Sequence, residues 1–287
     1  MDERLVLFSL VQLVVSLFIV VDAAVPAVFI FGDSTADVGT NCHLNFSGAR
    51  ADMSPNGIDY PGSKATGRFS NGYNSADFLS NLMGFRRSPP PFLSLLNENF
   101  RLSKHIKYGA NFASGGAGLL DNAATLLKLY SLGARKFGVI SVPPIGCCPG
   151  QKFYNYVFTG ETGCLEGMNE QARLFYSTIQ IMLQQLSSEL IEMKYSLGNA
   201  YEMGHECMTE HSYFKELANG CCGLGKFNGA SACTNTSNLC PNRDEYLCWD
   251  LFHPTQAAVK LAAKTLYDGE SKFVSPINFK QLAEDDI

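Results

Sequence analysis

Ala27-Val-Phe-Ile-Phe31-Gly32-Asp33-Ser34 is the stretch on which the reading of the chain turns. Its first five residues are uninterruptedly apolar, with β-branched and aromatic types prominent. They predict a short strand buried on both faces. Gly32 lets the backbone turn tightly as the strand ends. Ser34 is then carried at the carboxyl end of a strand, where open α/β sheets place their ligands. The pattern recurs along the chain. Residues 137–142 read as a second buried strand, closed by Pro143 and Pro144, and residues 194–200 as a third. Helical stretches lie between and after them. Ser75 to Met83 is short. Leu165 to Tyr195 carries an apolar stripe at Leu174, Ile179, Leu183, Leu186, Leu190 and Ile191, and Gln256 to Tyr267 closes the series. Strands alternating with helices predict an α/β protein. Residues 41–69 read as loop, Ser88 to Pro91 as an extended break, and Asn111 to Gly118 as a glycine-rich turn.

Composition narrows the function classes. The chain has 287 residues, of which 46% are hydrophobic and 17% charged, enough to bury a sizeable core. Disorder, collagen and coiled coil do not fit that balance. With 22 basic and 27 acidic residues, the net charge of -5 gives no global attraction to phosphate backbones, so no nucleic-acid partner is expected.

Leu5 to Val21 is almost continuously apolar and is followed by Ala23 and Ala24. This resembles a secretory signal peptide over residues 1–23, leaving a domain over 24–287. The alternative is an uncleaved anchor, because about 20 apolar residues span a bilayer. Cleavage implies a secreted, extracellular protein with no stable membrane insertion. All ten cysteines lie beyond residue 24, and none are spaced C-x-x-C. They therefore read as up to five disulfides rather than a zinc ribbon or a redox motif. Six fall between Cys207 and Cys248, which predicts a stapled, loop-rich C-terminal segment. Asn45 and Asn235 each head an N-glycosylation tripeptide.

Ser34 finds two partners near the other end of the chain, in Trp249-Asp250-Leu-Phe-His253-Pro254. Asp250 and His253 are three apart, so one turn can carry both. His253 would take the proton of Ser34 while Asp250, through its carboxylate or its carbonyl, orients the ring. Taken singly, Asp-Ser after a strand is an ordinary turn or N-cap, and Asp-x-x-His an ordinary structural pair. Together in one α/β chain they point to serine hydrolysis. The G-x-S-x-G elbow is absent, since Thr35 and Ala36 follow Ser34, so a different hydrolase architecture is expected.

The ordered motifs resemble the plant GDSL esterase/lipases, a branch of the SGNH hydrolases. Phe31-Gly-Asp-Ser-Thr-Ala-Asp-Val-Gly39 is similar to their first motif. Gly67-Arg-Phe-Ser-Asn-Gly72, followed by Ala76-Asp77-Phe78, is similar to the second. Residues 111–118, 142–147, 197–201, 218–223 and 249–255 follow in the family's order. The resemblance implies a three-layer α/β/α fold around a parallel central sheet, and hydrolysis of carboxylic esters without metal or organic cofactor. It assigns Ser34 as nucleophile, His253 as general base and Asp250 as its partner. The backbone N–H groups of Ser34 and Gly72 become oxyanion donors. A small-molecule or polymer ester, of lipid or cell-wall type, would be the substrate.

Two departures matter. Thr35 stands where the family has Leu, with little effect expected. The family also carries a Gly-x-Asn-Asp segment after a buried strand, whose Asn is the third oxyanion donor. Here residues 120–121 run directly into Asn122-Ala-Ala-Thr-Leu-Leu-Lys, which is similar to a helix found well downstream, and no Gly-x-Asn-Asp occurs. The chain thus reads as internally shortened near 121–122, by alternative transcription or a mis-joined gene. Losing an oxyanion donor costs about 10²–10³ in turnover. Losing a central strand leaves backbone edges unpaired. Two further readings follow: a catalytically impaired secreted binding or decoy protein, and a non-productive truncated isoform. His205 and His211 are six apart, which fails the metalloprotease spacing, and the vicinal pairs Cys147-Cys148 and Cys221-Cys222 read as disulfide partners of other cysteines.

Overall fold

The strand that opens the sequence argument is β1 (Val28–Ile30), and it pairs in parallel with β2 (Gly109–Asn111). The structure, a computed structural model, describes residues 25–96, 102, 106–118, 122–209 and 213–285, and of 122 and 123 the backbone only. The β1–β2 register sets Val28 beside Gly109 and Ile30 beside Asn111. Only glycine fits at 109, because its φ is +114° and a Cβ would lie 1.8 Å from the Val28 carbonyl oxygen. Pro91 bridges to Asn111 on the outer side of β2. The other edge of β1 has no strand partner among the described residues. Between the two strands lie α1 (Ser75–Leu82), closed at its start by a reciprocal Asn74–Asp77 capping box, and the short α2 (Phe92–Leu96).

The second sheet follows α3 (Asn122–Ser131). β3 (Lys136–Ile140) leads through α4 (Pro149–Thr159) and α5 (Glu166–Glu189) to β4 (Lys194–Gly198), which pairs with it in parallel over five residues. After β4 come α6 (Ala200–Thr209), β5 (Glu216–Gly220), β6 (Cys222–Gly223), β7 (Asn238–Leu239), β8 (Tyr246–Cys248) and α7 (Gln256–Asp268). β9 (Val274–Ser275) adds antiparallel to β4, and α8 (Phe279–Glu284) ends the described chain.

Alternation along β3 and β4 builds the three layers. Phe137, Tyr195 and Leu197 point to one side, where Ile179, Leu183 and Leu186 of α5 cover them and α3 packs alongside. On the other side Phe279 lies against Gly138 and Leu266 against Gly198. Met203 and Val274 join that layer, and Leu79 and Met83 reach it from the α1 side. This contact between α1 and α7 ties the two sheets together. The α/β/α arrangement expected from the sequence is present. Its parallel sheet is divided, however, into β1–β2 and β3–β4–β9, with no described strand between.

Several expectations are corrected in detail. The long helix stops at Glu189 instead of running to Tyr195, because residues 194–198 are taken by β4. Ile191 lies beyond the helix end and Leu174 on its outer face, and both are exposed, while Ile179, Leu183 and Leu186 are buried. Three disulfides form where up to five were expected: Cys147–Cys164, Cys221–Cys240 and Cys222–Cys233. Cys42, Cys148, Cys207 and Cys248 are unpaired. The C-terminal staple is real, with β6 and β7 antiparallel between its two disulfides. Asn45 and Asn235 are both exposed. The signal peptide expected over 1–23 lies outside the described residues, as do residues 119–121 at the shortened junction. Among the described residues no helix is long and apolar enough to cross a membrane.

Candidate active site

Ser34 sits in the turn just after β1, and that turn is held by its neighbours. The Asp33 carboxylate accepts the Thr35 N–H at 2.8 Å and the Thr35 hydroxyl at 2.7 Å. A hydroxyl at 35 thus fixes the residue before the serine, which leucine would not do. The Asp33 carbonyl accepts the N–H groups of Ala36 and Asp37. Asp37 is fully buried and accepts from Gly39 N–H at 2.7 Å, Thr40 N–H at 2.6 Å and Gly115 N–H at 2.9 Å. Asn111, at the end of β2, donates to the Ala36 carbonyl. The glycine-rich turn after β2 is therefore a brace for the Ser34 loop.

The second motif joins the same network. Arg68 and Asp77 form a buried bidentate ion pair at 2.7 and 2.8 Å, and Arg68 also donates to the Val38 carbonyl and the Thr66 hydroxyl. Planar guanidinium and carboxylate match each other in such a pair. Gly72, expected as an oxyanion donor, directs its N–H at Ser70 Oγ, 3.1 Å away. The Ser34 N–H has no acceptor among the described residues.

Asp250 and His253 stand on one turn between β8 and α7. The Asp250 carboxylate accepts the backbone N–H groups of Phe252 and His253, both at 2.9 Å. It is also 2.8 and 2.9 Å from His253 Nδ1, so the carboxylate and not the carbonyl orients the ring. His253 Nε2 lies 2.8 Å from Ser34 Oγ. Three residues from opposite ends of the chain thus form one continuous chain of hydrogen bonds.

The turn is fixed from three directions. Trp249 is fully buried and donates from its indole to Asn56 at 3.0 Å, while its own N–H reaches the His253 carbonyl. Phe69 packs on the imidazole at 5.0 Å between ring centres. Asn71 accepts the Gln256 N–H at 2.8 Å and donates to Asp59, which pairs with Arg243. Phe69, Asn71, Gln256, Asn56 and Asp33 were not singled out by sequence reasoning. Phe69 and Asn71 lie inside a motif already noticed, yet only the fold shows that they touch the histidine turn.

Burial weighs against the charged imidazolium of His253, but the Asp250 charge and hydrogen bond, with the Asp33 charge, outweigh it and raise the pKa above 6.5. Burial likewise opposes the Asp250 carboxylate. The His253 charge, the bond to its ring and the two backbone N–H groups overcome this and lower the Asp250 pKa. Such a pair can receive a proton from a hydroxyl on Nε2 and hold the resulting cation beside an anion. Among the described residues Cys147, Cys164 and Glu166 lie close enough to share a metal ion, but the two sulfurs are bonded to each other and offer no thiolate.

The family profile of GDSL-like lipase/acylhydrolases matches residues 28–130 and 119–266, which takes in Ser34, Gly72, Asp250 and His253. The chain belongs to that family. Among its relatives in Arabidopsis thaliana, GDSL esterase/lipase LTL1 is 30% identical, with 92% of this chain and 94% of the relative covered. GDSL esterase/lipase At5g55050 is 28% identical over 91% of this chain and 90% of its own length. The LTL1 alignment runs over 354 positions, more than the 287 residues that the whole of this chain possesses. The excess falls in positions where the relative has residues and this GDSL chain has none. The two profile matches meet at residues 119–130, around the junction where the sequence reads as shortened.

Proposed function

We propose that this protein is a secreted serine hydrolase of carboxylic esters, with Ser34 as nucleophile, His253 as general base and Asp250 as its orienting partner. The observation that carries the reading is the 2.8 Å contact from His253 Nε2 to Ser34 Oγ, backed by Asp250 on Nδ1. As Ser34 Oγ attacks the ester carbonyl, its proton passes to His253. The tetrahedral oxyanion then collapses to an acyl-serine, and His253 returns the proton to the departing alcohol. Water, activated by the same histidine, releases the acid and restores Ser34.

Ser34 N–H is free to face the oxyanion. Gly72 N–H can serve only when Ser70 Oγ releases it. With the family's third donor absent from the sequence, turnover sits about 10²–10³ below that of a complete site. Secretion is supported by the leader-like sequence over 1–23, the three disulfides and the exposed Asn45 and Asn235. The substrate class is an ester of lipid or cell-wall type, as small molecule or polymer. The divided sheet and the occupied Gly72 N–H favour a second reading, a secreted binding protein with an impaired site.

Labelling with a fluorophosphonate probe separates them. The secreted protein is expected to be labelled at Ser34 and the Ser34→Ala variant not at all. An unlabelled, monodisperse protein supports the binding reading. An unlabelled, aggregated one supports a non-productive isoform.

A further inference from the structure

Gln256 opens α7, three residues after His253, and its side-chain amide lies against Gly72. A Cβ at 72 would come within 2.1 Å of Gln256 Oε1 and 2.7 Å of its Cδ. Gly72 is not among the glycines with positive φ, so this contact, and not a left-handed backbone, calls for glycine there. Two bonds clasp the segments together. Gln256 Oε1 accepts the Tyr73 N–H at 3.2 Å, and Asn71 Oδ1 accepts the Gln256 N–H at 2.8 Å. Asn71 is fully buried, and its Nδ2 donates to Asp59 at 2.8 Å.

We propose that Gln256 is a positioning residue for the oxyanion site, fixing the direction of the Gly72 N–H relative to His253. The proposal rests on the serine-hydrolase reading, in which Gly72 is an oxyanion donor. A trans peptide points its N–H and its C=O to opposite sides. The peptide between Asn71 and Gly72 is held at its oxygen, which accepts the Asp59 N–H at 2.7 Å. The next peptide is held at its nitrogen, the Tyr73 N–H, by Gln256. Gly72 is thus pinned on both sides. The acceptor of its own N–H is a side-chain atom, Ser70 Oγ at 3.1 Å. Rotation of that one hydroxyl frees the N–H without moving the backbone. Donors stabilise an oxyanion best when they are in place before the charge develops. Without the clasp the peptide between Gly72 and Tyr73 can turn, and the donor must be re-aimed in every turnover.

Two variants of secreted protein separate positioning from packing. Gln256→Met keeps the length of the side chain and removes the acceptor, whereas Gln256→Glu keeps an acceptor. In hydrolysis of p-nitrophenyl butyrate, Gln256→Met is expected to lower kcat about tenfold and to change KM by less than about twofold. Gln256→Glu should keep kcat within about threefold of wild type. It is measured where His253 is neutral, because an added carboxylate nearby favours the imidazolium. Both melting midpoints should stay within about 4 °C of wild type. An unchanged kcat in Gln256→Met, an equal loss in the two variants, or a loss carried by KM would overturn the proposal.

The clasp is also read without activity, as exchange of the Tyr73 amide with solvent deuterium. Gln256→Met is expected to speed that exchange about tenfold, and Gln256→Glu to leave it slow. Equal exchange in Gln256→Met and wild type would overturn the proposal as well. A wild type that turns over no ester and takes no fluorophosphonate would refute the hydrolase reading and with it the role at the oxyanion. Exchange at Tyr73 would then still decide whether Gln256 holds that peptide.

Discussion

The β1–β2 region and the β3–β4 region have interiors of opposite kinds. Around β3 and β4 the core is apolar and bulky, with Phe137, Met193, Tyr195 and Leu197 buried together with Ile179, Leu183 and Leu186 of α5. Around β1 and β2 the buried hydrophobic residues are mostly small, such as Ala51, Ala76, Ala110 and Ala113. The buried volume there goes to Asp37, Asn41, Arg68, Asn71, Asn74, Asp77 and Asn111. The large apolar side chains of β1 are outside, with Phe29 49% and Phe31 48% exposed. Phe31 stacks on Phe112, with ring centres 5.0 Å apart. One region stores stability in apolar burial. The other holds Ser34 through hydrogen bonds and keeps a strand whose sequence is suited to two neighbours but which has one among the described residues.

The sharpest way to break this comparison is to supply the missing neighbour. Inserting the corresponding segment of a relative between Asp121 and Asn122 is expected to join the two sheets, bury Phe29 and Phe31, and restore the third oxyanion donor. The rate of ester hydrolysis should rise by about 10²–10³, and amides of β1 should gain protection from hydrogen exchange. An insertion that changes neither would mean that the division of the sheet has no bearing on the site.

Leu197→Ala tests the apolar side. Leu197 is fully buried in β4, so the cavity is expected to cost about 3–5 kcal/mol by chemical denaturation. The labelling rate of the protein that remains folded should hardly change. Phe29→Ala, at a half-exposed position, should cost far less. Equal costs would erase the distinction between the two interiors.

Asp37→Asn tests the polar side. One carboxylate accepts three backbone N–H groups, and an amide presents only one oxygen, so a buried donor is left without an acceptor. The expected cost is about 1–3 kcal/mol, smaller than for Leu197→Ala. The Ser34 loop should loosen first, so labelling declines before global unfolding is seen. A variant that unfolds without prior loss of labelling would show that Asp37 supports the fold as a whole.

What the sequence made legible follows the same divide. β1 and β3 were visible because short apolar runs with β-branched residues have few other solutions, whereas β4, Lys-Tyr-Ser-Leu-Gly, carries no such run. Ser34, Asp250 and His253 stood out because nucleophile, acid and base obey short local rules on each side of the chain. α4 was missed. Its Tyr154, Val157 and Phe158 are exposed, so it lacks the stripe that announces a helix, although Pro149 at its start and left-handed Gly160 at its end were signals to be read. β5 is Glu-Leu-Ala-Asn-Gly, with no strand pattern of its own. It exists because β8 pairs with it, which is a tertiary fact. The polar core was equally hidden, since nothing in Asp37 or Asn111 alone says that each will hold a distant backbone.

The smallest expected effect bears on the point where the regions meet. Asp250 belongs to the same turn as His253, but Asp33 belongs to the β1 region, and its charge also raises the His253 pKa. The base must be neutral to accept the Ser34 proton, so labelling is expected to rise with pH through a pKa above 6.5. Asp33→Asn removes one of the charges that favour the cation and keeps an acceptor for Thr35. The His253 pKa should fall, and the acid limb of the labelling profile should move to lower pH, by less than in Asp250→Asn. The sign for stability runs the other way. A raised pKa stabilises the folded state below the unfolded value, and that contribution fades as pH rises through the folded one, so Asp33→Asn should reduce it. An unmoved acid limb would mean that Asp33 and His253 do not share a field in solution, and that the two regions are less closely docked than the 2.8 Å Ser34–His253 contact requires.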